Sequence, residues 1–454
     1  MQTLMRARLR RFGALALFVG AAGCTDFLTV PNPGVIDAAT VDPVADAVTL
    51  ANSAKQNFAV SYGLMIMYSA WFTGEAQVAE TFPTRNEFAQ RAVNATNGSH
   101  NADVWTPLSR AMAASRLVLK LALPTPTTNA NYAQAALYAG YSFLFMAEQF
   151  CVGAVDGGPA LTTQNMLDSA IANFSNVIAI GAANGAAPAT TYATAALVGR
   201  ARANLQRGNN AAALADANAV PTGFNFNVDY VDDLASRGRL SNQEWIFVRD
   251  RGSILVAAPF RIANNNPGPP VTPNANPQGG LFLNSADTRV PVVDGGVQVP
   301  ALLAQDARRG PFWITTKYVY ATPIRLASKL EADYIAQEVQ PGGPTLAFVN
   351  ARRAAGGQPA LIGPTVTMTD LMDQKAFDFY LEGKRMGDFR RLDVTPAYAN
   401  ASVGGVAQST TPVQFMPVPG SVYFKAGFAP TSNRTCYPLP QAETDNNLNH
   451  PSSP

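Results

Sequence analysis

Read from the amino end, the chain alternates apolar stretches at helical spacing with short breaks set by proline, glycine and asparagine. Asp42-Pro43 opens a first predicted helix over residues 45–59, because proline suits a first helical turn. Tyr62, Met65, Met67, Tyr68, Trp71 and Phe72 make residues 60–80 read as a buried helix. In residues 101–123, Trp105, Leu108, Met112, Leu117 and Leu121 are spaced for one face, and Pro124 and Pro126 stop the helix. Residues 132–150 set Ala136, Ala139, Gly140 and Ala147 among larger groups such as Phe143, which lets neighbouring helices approach closely. Helices over 163–178 and 191–207 follow, and the second turns through Gly208-Asn209-Asn210 into another at 211–218. Successive hairpins with small residues at their contacts predict a mostly α fold, a tetratricopeptide-like α-solenoid of helical hairpins decorated by long irregular loops and a few short strands. No repeat matches the tetratricopeptide motif strictly, so a non-repeating helical bundle is the alternative.

The pattern breaks at residues 221–320. Asn264-Asn265-Asn266-Pro267-Gly268-Pro269-Pro270 begins a proline, asparagine and glycine stretch running to Gly280, which excludes regular secondary structure. Short strands are expected at 245–248, 289–293 and 313–320. Helices resume over 323–339 and over 367–383, the latter started by Thr367 and Asp370 at capping-box spacing. Residues 394–454 are rich in proline, serine, threonine and asparagine and are expected to wrap irregularly over the body.

The first 23 residues have their own grammar. Arg6, Arg8, Arg10 and Arg11 precede an apolar run over residues 12–19, and Gly20, Ala21, Ala22 and Gly23 lead into Cys24. This resembles a lipoprotein signal peptide, with Cys24 as the lipid-attachment residue; the alternative is a plain secretory signal with an incidental cysteine. The expected layout is signal 1–23, an extended tether 24–42, and one helical domain 43–454 with its irregular insertion near 221–320. No membrane-spanning stretch is expected after residue 24.

Charge then narrows the function classes. The chain has 33 basic and 31 acidic residues, and removing the four signal arginines leaves 29 against 31, a formal −2. With no basic face, nucleic acid is not an expected partner. The only two histidines, His100 and His450, lie far apart and lack ligand-spaced neighbours, so neither a metal nor another cofactor is expected. Cys151 and Cys436 could form one long-range disulfide or remain two buried thiols; the sequence leaves both open.

Four stretches carry a family resemblance. Cys24-Thr25-Asp26-Phe27-Leu28 with Pro31 resembles the mature start of the SusD/RagB family of surface lipoproteins. Pro323-Ile324-Arg325-Leu326-Ala327 and Phe348-Val349-Asn350-Ala351-Arg352 resemble two of its helices, with Ser328 where the family has a glutamate. In residues 374–391, Glu382-Gly383, Arg385, Asp388, Arg390 and Arg391 fall in the family pattern, while Gln374, Lys375 and Asp378 replace its usual Glu, Arg and Glu. Tyr437-Pro438-Leu439-Pro440, with Glu443 and Asn446-Asn447, resembles the family's closure. Asp378 and Glu382 also stand four apart, and paired carboxylates can do acid–base work on glycosides. Alternating charges beside aromatics instead favour an ion-pair network, so Arg325, Glu382, Gly383, Arg385, Asp388, Arg390 and Arg391 are read as structural.

The resemblance implies a lipid-anchored, surface-exposed outer-membrane protein that binds a nutrient, classically a glycan. It would deliver that ligand to a TonB-dependent, SusC-like barrel without chemistry on it. Aromatic faces would grip sugar rings, and the candidates are Trp313, Phe312, Trp105 and Trp71, with Trp245 read as a core residue beside a strand. The alternatives are a non-catalytic scaffold lipoprotein for envelope assembly and, third, a glycan hydrolase.

Overall fold

A 26-residue helix, α1 (Ala47–Phe72), runs through the middle of the fold. From Tyr62 to Phe72 nearly every position is buried, so its second half is apolar all round rather than amphipathic. The computed structural model describes residues 41–79, 82–257, 260, 287–294, 313–358, 360–361, 366–392, 401–403, 406–408 and 434–449. Cys24, Phe312 and the 264–280 loop lie outside the described residues. The helices and strands named below all belong to one packing unit, Ala47–Pro454.

After β1 (Ala76–Val78), a short α2 (Pro83–Ala89) and a π-helical turn at His100–Trp105, α3 (Thr106–Leu119) returns along α1. Helices α4 (Ala130–Gln149), α5 (Thr163–Asn184), α6 (Ala189–Arg207) and α7 (Asn210–Ala219) then stack as antiparallel neighbours, as the hydrophobic pattern predicts. Asn129 caps α4 and a Thr162/Asn165 capping box starts α5. The small residues do what close packing asks of them. A Cβ at Gly140 or Gly199 would stand 2.7 or 2.5 Å from the ring of Phe174, which wedges between α4 and α6. Helix α5 is long and apolar enough to cross a membrane by length and composition, but it packs here between α4 and α6.

The second half adds four antiparallel strand pairs. They are β1 with β3 (Ile254–Val256), β2 (Asn225–Val228) with β6 (Ile324–Ser328), β4 (Val292–Asp294) with β5 (Trp313–Thr315), and β7 (Ala401–Val403) with β8 (Val406–Gln408). Helices α8 (Lys329–Val339), α9 (Leu346–Ala355), α10 (Met368–Asp378), α11 (Arg385–Leu392) and α12 (Gln441–Asn446) complete the unit.

Several expected boundaries move, each for a local reason. The helix expected over 323–339 begins instead as strand β6, because Ile324 and Leu326 point inward at period two and the backbone pairs with β2. Ser328 then accepts from the Glu331 N–H (3.2 Å) and starts α8. Residues 245–248 are helical rather than a strand: Asn242 Oδ1 accepts from Trp245 N–H (3.2 Å), capping a turn over Gln243–Trp245 that runs into a π-helical turn at Ile246–Asp250. The helix expected to Gly383 stops at Asp378, since Leu381 and Gly383 take positive φ values of 53° and 67°.

Cys151 and Cys436 are bridged (S–S 1.97 Å), so of the two readings left open the structure adopts the disulfide. Beside it, Tyr437 N–H donates to Gln149 O (2.7 Å) and Cys151 N–H to Tyr437 O (2.9 Å). The Tyr437 ring is buried among Phe72, Phe88, His100 and Phe150. His100 Nε2 hydrogen-bonds Pro438 O at 2.8 Å, and burial lowers its pKa to about 4, so the ring is neutral. The bridge closes a loop of 285 residues. Cys151→Ser/Cys436→Ser is expected to cost about 2–5 kcal/mol, read from urea unfolding of both proteins. A midpoint unchanged between oxidised wild type and the double variant would mean that the 434–449 segment holds without the bridge.

Candidate functional site

The signature segment 374–391 is the frame on which the surface is hung. Glu382 receives Lys317 Nζ (2.9 Å) and Arg325 Nε (2.8 Å). Burial would raise its carboxyl pKa, but these two cations outweigh burial and hold it below the ordinary range. Asp378 goes elsewhere, to Arg352 (2.6 Å), Arg289 (3.1 Å) and the Tyr334 hydroxyl (2.5 Å). The two carboxylates therefore do not form an acid–base pair. A third group joins Arg202 to Glu148 (2.6 Å), and Glu331 to Lys384 (2.8 Å) and Arg202 (3.5 Å). Glu331 thus supplies a buried carboxylate three residues after Ser328.

The remaining signature residues are anchors as well. Gly383 O accepts from Arg202 Nη2 (2.9 Å), and a Cβ at Gly383 would meet Ile66 Cγ1 at 3.0 Å. Arg385 Nε donates to Thr73 O (3.2 Å), and Asp388 takes Lys375 (2.7 Å) and Arg391 (3.3 Å). Arg390 donates to Phe150 O (2.6 Å) and Thr163 Oγ1 (2.8 Å), and Arg391 also pairs with Glu338.

Lys317 is the link from this frame to the surface. Its ammonium, tied to Glu382 and to Tyr380 O (2.7 Å), fixes the start of the loop that carries Tyr320. Asn242, fully buried, closes the other side: its N–H donates to Tyr320 O (2.8 Å) and its Nδ2 to Thr322 O (2.7 Å). The half-buried Trp245 and Tyr320 rings therefore meet edge to face, centroids 5.7 Å apart. Arg237 lies over Tyr320 (3.8 Å) and Arg249 over Trp245 (5.1 Å). Asp250 accepts from Tyr320 Oη (2.7 Å), and Asp232 from Arg237 Nε (3.0 Å).

The same segment has a second side. Arg251 and Arg85 lie over the buried Phe247 ring (4.7 and 5.1 Å), and Arg85 also over Phe82 (5.3 Å), which is 58% exposed. Residues 243–251 thus carry the half-buried Trp245, the guanidinium groups of Arg249 and Arg251 and the carboxylate of Asp250 to the surface on a short, capped stretch of backbone. Such a surface can cover the apolar face of a ring and meet its hydroxyls at the edge. Among the described residues no group of three His, Cys, Asp or Glu is placed to hold a metal ion.

The aromatic candidates named from the sequence fall differently. Trp71 is fully buried, packed on Tyr68 and Phe247, and cannot face a ligand. Trp105 is buried too, with its ring against Phe150 and its Nε1–H on Glu443 (3.3 Å). Of Trp313 the backbone is described, opposite Asp294 at the start of β5. Trp245, read as core, packs one side on the core and leaves the other in the arginine cluster. Tyr320, Phe82 and Arg237 were not singled out. Tyr320 ends a predicted strand and Phe82 precedes Pro83, which hints at positions beside loops and no more. Replacing Glu382 by Gln leaves Lys317 and Arg325 short of their buried counter-charge. A loss of about 3–5 kcal/mol is expected, read from chemical unfolding at neutral pH; a change below about 1 kcal/mol would show that the network does not depend on this carboxylate.

No family model matches the chain, and no curated protein matches it. Solved structures do. A SusD superfamily protein from Parabacteroides distasonis aligns with TM-score 0.60 and 14% identity over 90% of this chain and 98% of its own. Surface glycan-binding protein A from Bacteroides uniformis aligns with TM-score 0.58 and 13% identity, over 88% and 97%. Surface glycan-binding protein A from Bacteroides thetaiotaomicron, in complex with laminarihexaose, aligns with TM-score 0.54 and 13% identity, over 89% and 97%. At such low identity the likeness is one of fold, and it extends over almost the whole length of those chains: this chain shares the fold of those solved proteins.

Proposed function

We propose that this protein is a non-catalytic, cell-surface lipoprotein that binds a neutral oligosaccharide and passes it to a TonB-dependent outer-membrane barrel. The observation that carries the reading is the Trp245–Tyr320 pair, held edge to face with Arg237 and Arg249 stacked on it and Asp250 and Asp232 at its rim. Aromatic faces cover the apolar side of a sugar ring, while carboxylates and guanidinium groups take its hydroxyls. The fold supports the same reading, since it is shared with a surface glycan-binding protein solved with a glucan hexasaccharide. Cys24 would carry the acyl chains, and several chains on one residue give stable anchoring where one alone is marginal.

Binding is tested by screening neutral oligosaccharides on an array and measuring the best by calorimetry. Trp245→Ala and Tyr320→Ala are each expected to weaken it about tenfold or more, equivalent to about 1.4 kcal/mol, with little change in melting temperature. Trp313→Ala belongs in the same panel, because β5 leads directly into the loop that carries Tyr320. Retention of no oligosaccharide, or wild-type affinity in both variants, would sink the glycan reading. Delivery is tested by mild-detergent purification from the native outer membrane: a barrel at about one to one is expected, and Cys24→Ala should release the protein from the membrane fraction. Absence of any barrel, under conditions that keep other envelope complexes intact, would count against the transporter partner.

A further inference from the structure

Glu244 lies in the middle of the helical turn Gln243–Trp245, between the two faces of the surface segment, and is 0% exposed. Neither of its carboxylate oxygens has a hydrogen-bond partner. A charged carboxylate in such a place costs several kcal/mol, whereas a neutral acid costs far less.

The groups around it come from every neighbouring element. Glu75, between α1 and β1, and Glu382, between α10 and α11, repel a charge on Glu244, and Lys317, after β5, attracts it. The hydroxyls of Tyr230, after β2, and Tyr318, beside Lys317, complete the set. The cations are committed elsewhere. Lys317 is bound to Glu382 and Tyr380 O, Arg325 to Glu382, and Arg385 lies by Glu75, which also accepts from Leu381 N–H (2.7 Å). Of the three carboxylates, Glu244 is the one left without a donor.

We propose that Glu244 is a proton-controlled switch: it holds the 243–251 segment on the core as a neutral acid, and losing its proton loosens the segment that carries Trp245, Phe247, Arg249 and Arg251. Burial first, and then the charge of Glu75, move its carboxyl well above the ordinary range, and burial brings Glu75 up to about 7. An acid whose folded pKa is raised adds its full stability below the unfolded value, near 4.5, and that stability is lost as pH rises toward the folded value. Alkaline conditions therefore loosen the segment. Its consequence for ligand release rests on the reading of this surface as the ligand face.

The test uses the whole mature protein, wild type and Glu244→Gln, without ligand, so it stands or falls separately from the oligosaccharide reading. Melting temperature is measured at acid, neutral and alkaline pH, with amide hydrogen exchange of residues 243–251 corrected for intrinsic rates. The glutamine variant should gain on wild type as pH rises. Exchange in the segment should quicken about tenfold with pH in wild type and stay flat in the variant. A melting difference that is the same at every pH, or a variant less stable throughout, overturns the proposal. Glutamine brings an N–H₂ group that itself needs a partner, so Glu244→Met is measured alongside and judged by the same criterion. If both variants fail to fold, the charge at Glu244 is required and the proposal falls.

Discussion

The grip of Lys317 and Arg325 on Glu382 is the interaction on which the rest is arranged. Glu382 sits in the turn between α10 and α11, and that turn is where distant parts of the chain meet. Tyr62 of α1 donates to both Arg325 O (3.0 Å) and Glu382 O (2.9 Å), Arg202 of α6 reaches Gly383 O, and Tyr318 donates to Leu381 O (2.9 Å). Buried ion pairs add little net energy over apolar packing of the same volume, but an arrangement that strands one charge is heavily penalised. A turn so wired accepts few alternatives. The helices supply most of the apolar core, and the charges fix the position of the loops laid over it.

That division explains what could be read from the sequence. The helices from residue 130 to 219 were legible because α5 buries one face at helical spacing, α4 is a long apolar run buried on all sides, and both are bounded by local stop signals that need no distant partner. The strands were not. Each belongs to a two-stranded pair of three to five residues, and Ile324-Arg325-Leu326-Ala327 becomes β6 because Asn225–Val228 lies alongside it. The signature residues were recognisable as a set, and their side chains enter the buried ion-pair network. Their individual partners could not be read, since Glu148, Arg202, Lys317 and Glu331 lie far from them in sequence.

The surface was the least legible part. Trp71 and Trp105 sit in apolar helices whose periodicity favoured burial, and burial is where they are. Trp245 follows the polar run Asn242-Gln243-Glu244 and reads from the sequence as a core residue beside a strand. All three of those polar residues are in fact buried, while the tryptophan after them is partly open. Local polarity failed there because Asn242 and Gln243 spend their polar groups on backbone carbonyls, at Thr322 and Ser241. Glu244 spends its groups on nothing, and so departs from the rule its neighbours follow.

The proposed ligand face lies over one buried acid that no donor holds, and the Glu382 turn and Asn242 beneath it are tied down. Ligand contacts carried on a short segment need a fixed backing, or the cost of ordering them is taken from affinity. The backing comes from the Glu382 turn below and from the Asn242–Thr322 tie beside it. The Cys151–Cys436 bridge clips the 434–449 segment to the end of α4 by a bond that lasts where thiols are not reduced. Against so much constraint, Glu244 is, among the described residues, a fully buried carboxylate neither of whose oxygens has a donor. It stands outside the ion-pair network, so the frame built on Glu382 does not depend on it.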